Sequence, residues 1–356
     1  MKIKNITPLV LGTPWRNLTF LKVETDEGLV GVSEGRNVNR TEALLGYLEG
    51  IKKRYVVGSD PFRIEELVHR IFVGDFARVD DIAGMGIALV EMACWDIVGK
   101  ALKQPVYQLL GGAVRDKIKA YANGWYTVER EPKAFHEAAK KVVQKGYKAL
   151  KVDPFGAGLY EMERSEKNRS ISLVEAIRDS VGPDVEILIE MHGRFSPATA
   201  IELSRDLEPF KPSWVEEPVP PDNLEAMAKA ASKINIPVAT GENNYTRWEF
   251  RDLCERRAAT FLMPDVCRAG GFSETLRIGH IAASHGLALT PHLIHEISIH
   301  VVGALSNGFL VEYVDWAPKD LWEEAPACRD GMFRIPDRPG HGIALAKGAI
   351  EKYRSR

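Results

Sequence analysis

Apolar and polar residues alternate along residues 18 to 34, "LTFLKVETDEGLVGVSE", on both sides of Asp26, Glu27 and Gly28. A period of two flanking a turn-forming group predicts an antiparallel hairpin. Past it the period lengthens, and helical patterns run over residues 41 to 54, 62 to 72 and 83 to 103. The last of these, "GMGIALVEMACWDIVGKAL", is apolar nearly all round, which predicts a helix buried at a domain junction. A Gly-Gly break in "LLGGAVRDKIKAYANGW" then precedes an apolar strand near 118 to 122, so a domain boundary is expected close to residue 115.

Beyond that boundary strand and helix patterns alternate. The segment "KAFHEAAKKVVQKG" sets Phe135, Ala138, Ala139, Val142 and Val143 on one helical stripe, with Gly146 as its stop. Short apolar strands recur at "YKALKV", "VEILIE", "SWVEE", "PVATGE", "ATFLMPD", "LALTPH" and "FLVEY", each pair separated by a helix-length segment. Such repetition means βαβ units and a parallel sheet. Together with the strand before Asn123 the units suit a closed α/β barrel better than an open sheet, and no glycine-rich phosphate loop follows the first strand.

Composition narrows the class. A chain of 356 residues accommodates a barrel of about 250 residues and a second small domain. The formal charge of −2 argues against nucleic acid or an anionic membrane as an obligatory partner and leaves a small molecule as the expected ligand. Cys94, Cys254, Cys267 and Cys328 are scattered, which speaks against a disulfide scaffold or a structural zinc site. The start "MKIKNITPLV" has no long apolar core and no run reaches about 18 consecutive apolar residues, so neither a signal peptide nor a membrane span is expected, and the expected location is cytoplasmic.

Acids punctuate the strand ends. Glu190, Glu216 and Glu242 recur at equal intervals of one βα unit, which brings three carboxylates into a single cup at the barrel rim. Such a cluster repels itself unless a cation joins it, and an all-oxygen set partly open to substrate suits Mg2+. The next strand ends carry Asp265, His292 and Glu312, and an acid beside a histidine fixes its tautomer and raises its basicity. Lys151 and His192 stand on the other side of the ring. In "IEMHGR" a continued strand would point Glu190 and His192 to the same face. A metal facing a base across a cavity suits abstraction of the proton α to a carboxylate. In the expected roles His292, oriented by Asp265, takes that proton, Lys151 and Glu312 meet the carboxylate oxygens, and His192 protonates a departing 3-hydroxyl. The product would be a 2-keto-3-deoxy acid.

The order Lys, Glu, Glu, Glu, Asp, His, Glu in "LKVD", "IEMH", "WVEEP", "TGEN", "MPDVCRAGG", "TPHLIHEIS" and "LVEY" resembles the mandelate racemase-like branch of the enolase superfamily. The resemblance implies a modified TIM barrel, (β/α)7β, over residues 116–319, with an N-terminal α+β capping domain over 1–115 completed by the tail 320–356. It also implies metal ligation by Glu190, Glu216 and Glu242, the Asp265–His292 dyad, Glu312 as the enolate-stabilising acid, and a homo-oligomer. Racemases of this branch carry Lys-x-Lys on the second barrel strand. Lys151 matches the first lysine, and Asp153 stands where the second would be. The "HGR" after the first ligand resembles the galactonate dehydratase-type sugar-acid dehydratases, in which the matching histidine is the general acid.

The expected activity is therefore Mg2+-dependent dehydration of an acid sugar, an aldonate of five or six carbons. The alternatives are a racemase, epimerase or cycloisomerase working through the same enolate, and a non-catalytic binding protein on the same barrel. Trp15, Arg16, Phe76, Arg78, Lys151, Asp153 and His295 are the expected substrate contacts. His300 is expected in the core, and Glu217 is expected to support the ligands from behind.

Overall fold

The computed structural model describes residues 1–13, 16–36, 39–76, 79–324 and 326–354. The expected hairpin forms from β2 (Asn17–Thr25) and β3 (Val30–Gly35), and β1 (Ile3–Gly12) adds to it in the antiparallel order β1-β2-β3. Gly28 closes the turn at φ 85, a conformation that costs glycine little. The strand β1 carries no clear alternation. Its buried residues Ile3, Ile6 and Leu11 are unevenly spaced, and pairing to β2 rather than its own pattern defines it.

Three helices follow, α1 (Thr41–Ile51), α2 (Ile64–Gly74) and α3 (Asp81–Leu102). Asp80 caps α3 by accepting the Ala83 N–H at 2.8 Å, and Lys103 ends it in the left-handed region. Among the described residues α3 is the one helix long and apolar enough to cross a membrane, yet 89% of its most apolar window is buried inside the protein, as its all-round apolar pattern predicts for a core helix. It packs on β2 and β3 with one side, and its Glu91 accepts the N–H groups of Phe272 and Ser273 from the barrel with the other.

After a short turn of helix, α4 (Val106–Leu109), come eight strands: β4 (Lys117–Asn123), β5 (Ala149–Val152), β6 (Glu186–Glu190), β7 (Trp214–Glu216), β8 (Val238–Thr240), β9 (Phe261–Leu262), β10 (Ala288–Leu289) and β11 (Leu310–Val314). Each of β4 to β9 pairs in parallel with the next, and β11 returns to pair in parallel with β4. The seam between β10 and β11 closes through the Phe309 N–H on the Leu289 carbonyl at 2.9 Å. Seven helical crossovers and no helix after β11 before the tail make this the (β/α)7β barrel.

One layer of side chains fills the barrel: Tyr121, Ala149, Leu188, Trp214, Ala239, Met263 and Leu310. Because side chains repeat their direction every second residue, the next inward layer toward the strand ends is Asn123, Lys151, Glu190, Glu216, Asp265 and Glu312. A dry hydrophobic floor therefore lies one step beneath the polar ring. The tail runs back over both parts of the chain. Its hairpin β12 (Cys328–Arg329) and β13 (Met332–Arg334) pairs antiparallel with the start of β4, and Trp322 packs edge-on against Phe20 at 5.5 Å.

The contact between β3 and α3 is close enough to test. A Cβ at Gly31 would collide with the Ala93 carbonyl and meet Ile97 Cγ1 at 2.8 Å. Gly31→Ala is expected to destabilise the protein by about 1–3 kcal/mol in chemical denaturation, the usual cost of overpacking. An unchanged midpoint would show that the sheet and the helix do not approach this closely.

Candidate active site

The polar ring is crowded with carboxylates around a single ammonium. Lys151 Nζ lies 2.6 Å from Glu216, 3.1 Å from Glu190 and 3.4 Å from Glu312. All four side chains are buried. Glu242 joins from β8 by a different route, since Gly241 takes the place that the alternation gives to a side chain. Gly241 sits at φ 138, and a Cβ there would meet the Phe250 ring at 2.7 Å and the Met263 nitrogen at 3.0 Å. Glycine lets the chain turn so that Glu242 reaches the same cup, and ligand oxygens of Glu190, Glu216 and Glu242 lie within 4.8 Å of one another.

The charges do not balance. Burial, and after it the charge of Glu190, pushes the Glu216 carboxyl well above the usual carboxylate range. Burial opposes ionisation of Glu190 and Glu312 too, but Lys151 with His192 holds Glu190 at about 2, and Lys151 with His292 holds Glu312 at about 2. Lys151, helped by the two histidines, thus sustains Glu190 and Glu312 as carboxylates and leaves Glu216 without a counter-charge. A hard divalent cation bound by the three oxygens would supply it, so the residues present fit such an ion.

Beside this cup His292 meets a carboxylate at each nitrogen. Nδ1 lies 3.0 Å from Asp265, and Nε2 lies 3.1 Å from Glu242. Burial lowers the imidazole's basicity, but Glu242 and Asp265 outweigh it and raise the pKa. Asp265 is itself aimed by the N–H groups of Cys267 and Arg268, whose short helix it caps. Glu312 accepts from Asn123 Nδ2 at 2.6 Å and from the Leu293 N–H at 3.0 Å. Asn123 stands two residues beyond Tyr121, the same inward step that places the acids, and that spacing is its signal in the sequence.

His192 reaches the cavity by a turn and not by continuation of the strand. The strand ends at Glu190, and His192 and Gly193 both take left-handed conformations at φ 50 and 61. The His192 N–H donates to Glu190 at 2.7 Å, so the turn also aims the ligand. Burial lowers and Glu190 and Asp153 raise the His192 imidazole, which stands at about 9. Glu217, in a left-handed conformation at φ 43, turns away from the cup and accepts from the Gly241 N–H at 3.1 Å and the Thr240 hydroxyl.

A cavity of about 400 Å³ covers the ring, with Arg16, Arg36 and Arg40 of the N-terminal segment on its far wall. A larger one, about 630 Å³, lies along the tail hairpin and touches none of the ring residues. Convergent titratable groups, not volume, mark the site. Arg36 is buried between Glu34 at 2.7 Å and Glu296 at 3.1 Å, joining β3 to the helix after β10. A charged pair inside the apolar patterns "VGVSEGR" and "IHEISIH" was the sequence signal for it.

Several expected substrate contacts fall elsewhere. His295 is buried away from the cavity, 5.0 Å from both Phe333 and Tyr313, because its helix turns that side toward the tail hairpin. Asp153 does not line the cavity, since its oxygens are taken by Arg194 and His192. Phe76 is 97% exposed and faces solvent. Arg16 does line the cavity, with its guanidinium 5.4 Å over the Trp316 ring. Trp15 and Arg78 lie outside the described residues. His300 is buried, with its ring 2.9 Å from the His341 carbonyl.

Residues 134–349 match the enolase C-terminal domain-like family, and residues 10–111 match the mandelate racemase / muconate lactonizing enzyme N-terminal domain. A D-galactonate dehydratase of Pectobacterium atrosepticum is 36% identical over 97% of this chain and 92% of its own. A D-gluconate dehydratase of Thermoproteus tenax is 30% identical over 99% of this chain and 74% of its own. The crystal structure of a mandelate racemase/muconate lactonizing enzyme from Jannaschia sp. CCS1 superposes with a TM-score of 0.95 at 33% identity, over 100% of this chain and 98% of that one.

The depressed carboxyls make acid stability a test of the ring. Glu312, held at about 2 in the folded protein against 4.5 as the ordinary value, stabilises the fold above pH ~4.5 and ceases to do so as pH falls toward ~2. That contribution is on the order of 3 kcal/mol. Glu312→Gln is expected to lower stability at neutral pH and to flatten the acid limb of a denaturation-versus-pH curve. An acid limb of unchanged slope would assign that limb to other groups.

Proposed function

The chain belongs to the mandelate racemase / muconate lactonizing enzyme family of the enolase superfamily, and from that membership we propose that it is an Mg2+-dependent dehydratase of an acid sugar, an aldonate of five or six carbons. One observation carries the reading. In the barrel order β4 to β11, His192 follows the third strand and His292 the seventh, so the two imidazoles stand at opposite poles of the ring. Each is backed by an aspartate, His292 by Asp265 at 3.0 Å and His192 by Asp153 at 2.8 Å. Loss of water from neighbouring carbons needs a base for one and an acid for the other.

Glu190, Glu216 and Glu242 would hold the Mg2+, which when bound supplies Lewis-acid stabilisation for negative charge growing on the substrate carboxylate. Lys151, fixed among Glu190, Glu216 and Glu312, adds a preorganised positive charge at the same end of the cavity. His292 takes the α proton on Nε2, while Asp265 keeps Nδ1 engaged and the ring oriented. Glu312, bonded to Asn123 and to the Leu293 N–H, fixes the charge balance around Lys151. His192 then gives a proton to the departing 3-hydroxyl, and the resulting enol becomes the 2-keto-3-deoxy acid. Arg16 and Arg36 on the far wall would meet the distal hydroxyls. The names of the relatives favour dehydration among the reactions this ring can run.

A racemase or epimerase is the second reading, because an aspartate-backed histidine at each pole also suits proton exchange at both faces of one carbon. A panel of five- and six-carbon aldonates with Mg2+, assayed for 2-keto-3-deoxy acids, separates the two. We expect product from at least one aldonate, none with EDTA, and a loss of about 10²–10⁴-fold in His292→Asn, the range of a positioned base. Deuterium entering at Cα from heavy water without any keto acid would establish the exchange reading instead.

A further inference from the structure

The side chain of His192 is 48% exposed, so packing holds its ring only in part. Among the described residues its ring bonds to Asp153, whose Oδ2 lies 2.8 Å from Nδ1. Asp153, directly after β5, is locked in turn. Arg194 Nη2 lies 2.8 Å from each of its oxygens, and Oδ1 also accepts the Phe155 N–H at 3.0 Å.

Arg194 is anchored on the loops after both strands. Its Nε donates to the Met191 carbonyl at 3.2 Å and its Nη1 to the Gly156 carbonyl at 2.9 Å. Behind it Phe155 and Phe195 pack edge-on at 5.2 Å, and the Tyr160 N–H donates to the Arg194 carbonyl at 2.8 Å. Neither Asp153 nor Arg194 lines the cavity. The arrangement serves the histidine and not the substrate directly.

We propose that Asp153, locked by Arg194, is the positioning residue of His192: it holds Nδ1 and leaves Nε2 to the leaving group, and so governs the loss of the hydroxyl without governing the formation of the enolate. This rests on the reading of His192 as the acid of a dehydratase. A carboxylate accepts from Nδ1–H, so the proton that can be given away sits on Nε2 of the imidazolium. In the step the enolate pair forms C2=C3, and the C3–O bond breaks with its electrons on oxygen. The Nε2 proton joins that oxygen, which leaves as water, and the ring remains as its Nδ1–H tautomer. A ring held by one hydrogen bond on an open stem loses that alignment when the bond goes, and transfer falls steeply with misplacement.

The test uses the Mg2+-loaded enzyme in heavy water with an aldonate that the wild type dehydrates. Two rates are read, keto-acid formation and deuterium at Cα of recovered substrate. Asp153→Asn is expected to slow keto-acid formation about 10- to 100-fold, the scale on which supporting hydrogen bonds act, while exchange and elimination together stay near the wild-type total. Arg194→Lys, which keeps the charge but loses the fork, should fall between the two. Asp153→Asn in His192→Asn should cost nothing further, because the pair acts as one unit. Loss of exchange together with elimination, or a double variant slower than His192→Asn alone, would overturn the positioning role. Wild-type elimination retained in Asp153→Asn would overturn it while leaving the dehydratase reading intact. A wild type that exchanges without eliminating would overturn both.

Discussion

Three carboxylates and a lysine have been brought to the rim of a barrel whose interior is dry, and the surrounding residues answer the electrostatics of that placement. In a low dielectric each buried charge costs several kcal/mol unless it is paired and hydrogen-bonded. Lys151 offsets part of that cost by lying 2.6 to 3.4 Å from Glu216, Glu190 and Glu312. What remains is an excess of negative charge that makes the cup a receptor for a hard cation. The layer from Tyr121 to Leu310 below is fully buried, and close-packed side chains of that kind give a firm floor to the ring.

The N-terminal domain closes the cup by the same kind of pairing. Arg36 is buried with Glu34 from its own sheet and Glu296 from the barrel, so the two parts share one guanidinium. Arg268 does likewise from the other side. It binds Asp81 at the start of α3 and the carbonyl of Glu242 at 2.9 Å, so the loop that carries Glu242 is tied to the covering domain. Breaking either pair would leave a charge unmatched in a buried interface, which is more costly than losing the contact itself. Closure of the site and the aim of a ligand are therefore linked through the same residues.

Much of this was legible in the sequence. Strand ends in a parallel barrel converge, so equally spaced acids announced the cup, and the all-round apolar pattern of α3 announced a core helix. What escaped depended on backbone geometry that periodicity does not encode. The strand β1 buries residues at irregular intervals, and only pairing defines it. His192 was expected on the right side of the barrel for the wrong reason, since a left-handed turn and not the pleat puts it there. His295, three residues beyond His292, is expected from the sequence beside the cavity. Its helix starts at that residue, however, and swings the ring into the aromatic cluster with Phe333 and Tyr313. Asp153 stands where a substrate-facing residue is expected, but Arg194 and His192 take its oxygens and it does not line the cavity.

These placements divide the ring into two functions. On the proposed reading, the half formed by Lys151, the three glutamates and the Asp265–His292 pair makes and holds an enolate. It does not specify what the enolate becomes. That choice falls to the opposite pole, where a lysine on the second strand would present a second base to Cα. An aspartate in its place cannot act there as a cation, and its oxygens are taken by Arg194 and His192. The fate of the intermediate then turns on which carbon His192 Nε2 faces. A ring held over C3 expels a hydroxyl, and the same ring shifted by one carbon–carbon bond would return a proton to C2. Reaction type in such a site is set by about 1.5 Å of placement, far below the ~5 Å between neighbouring strands of the barrel, and that is the scale on which a single carboxylate hydrogen bond can act.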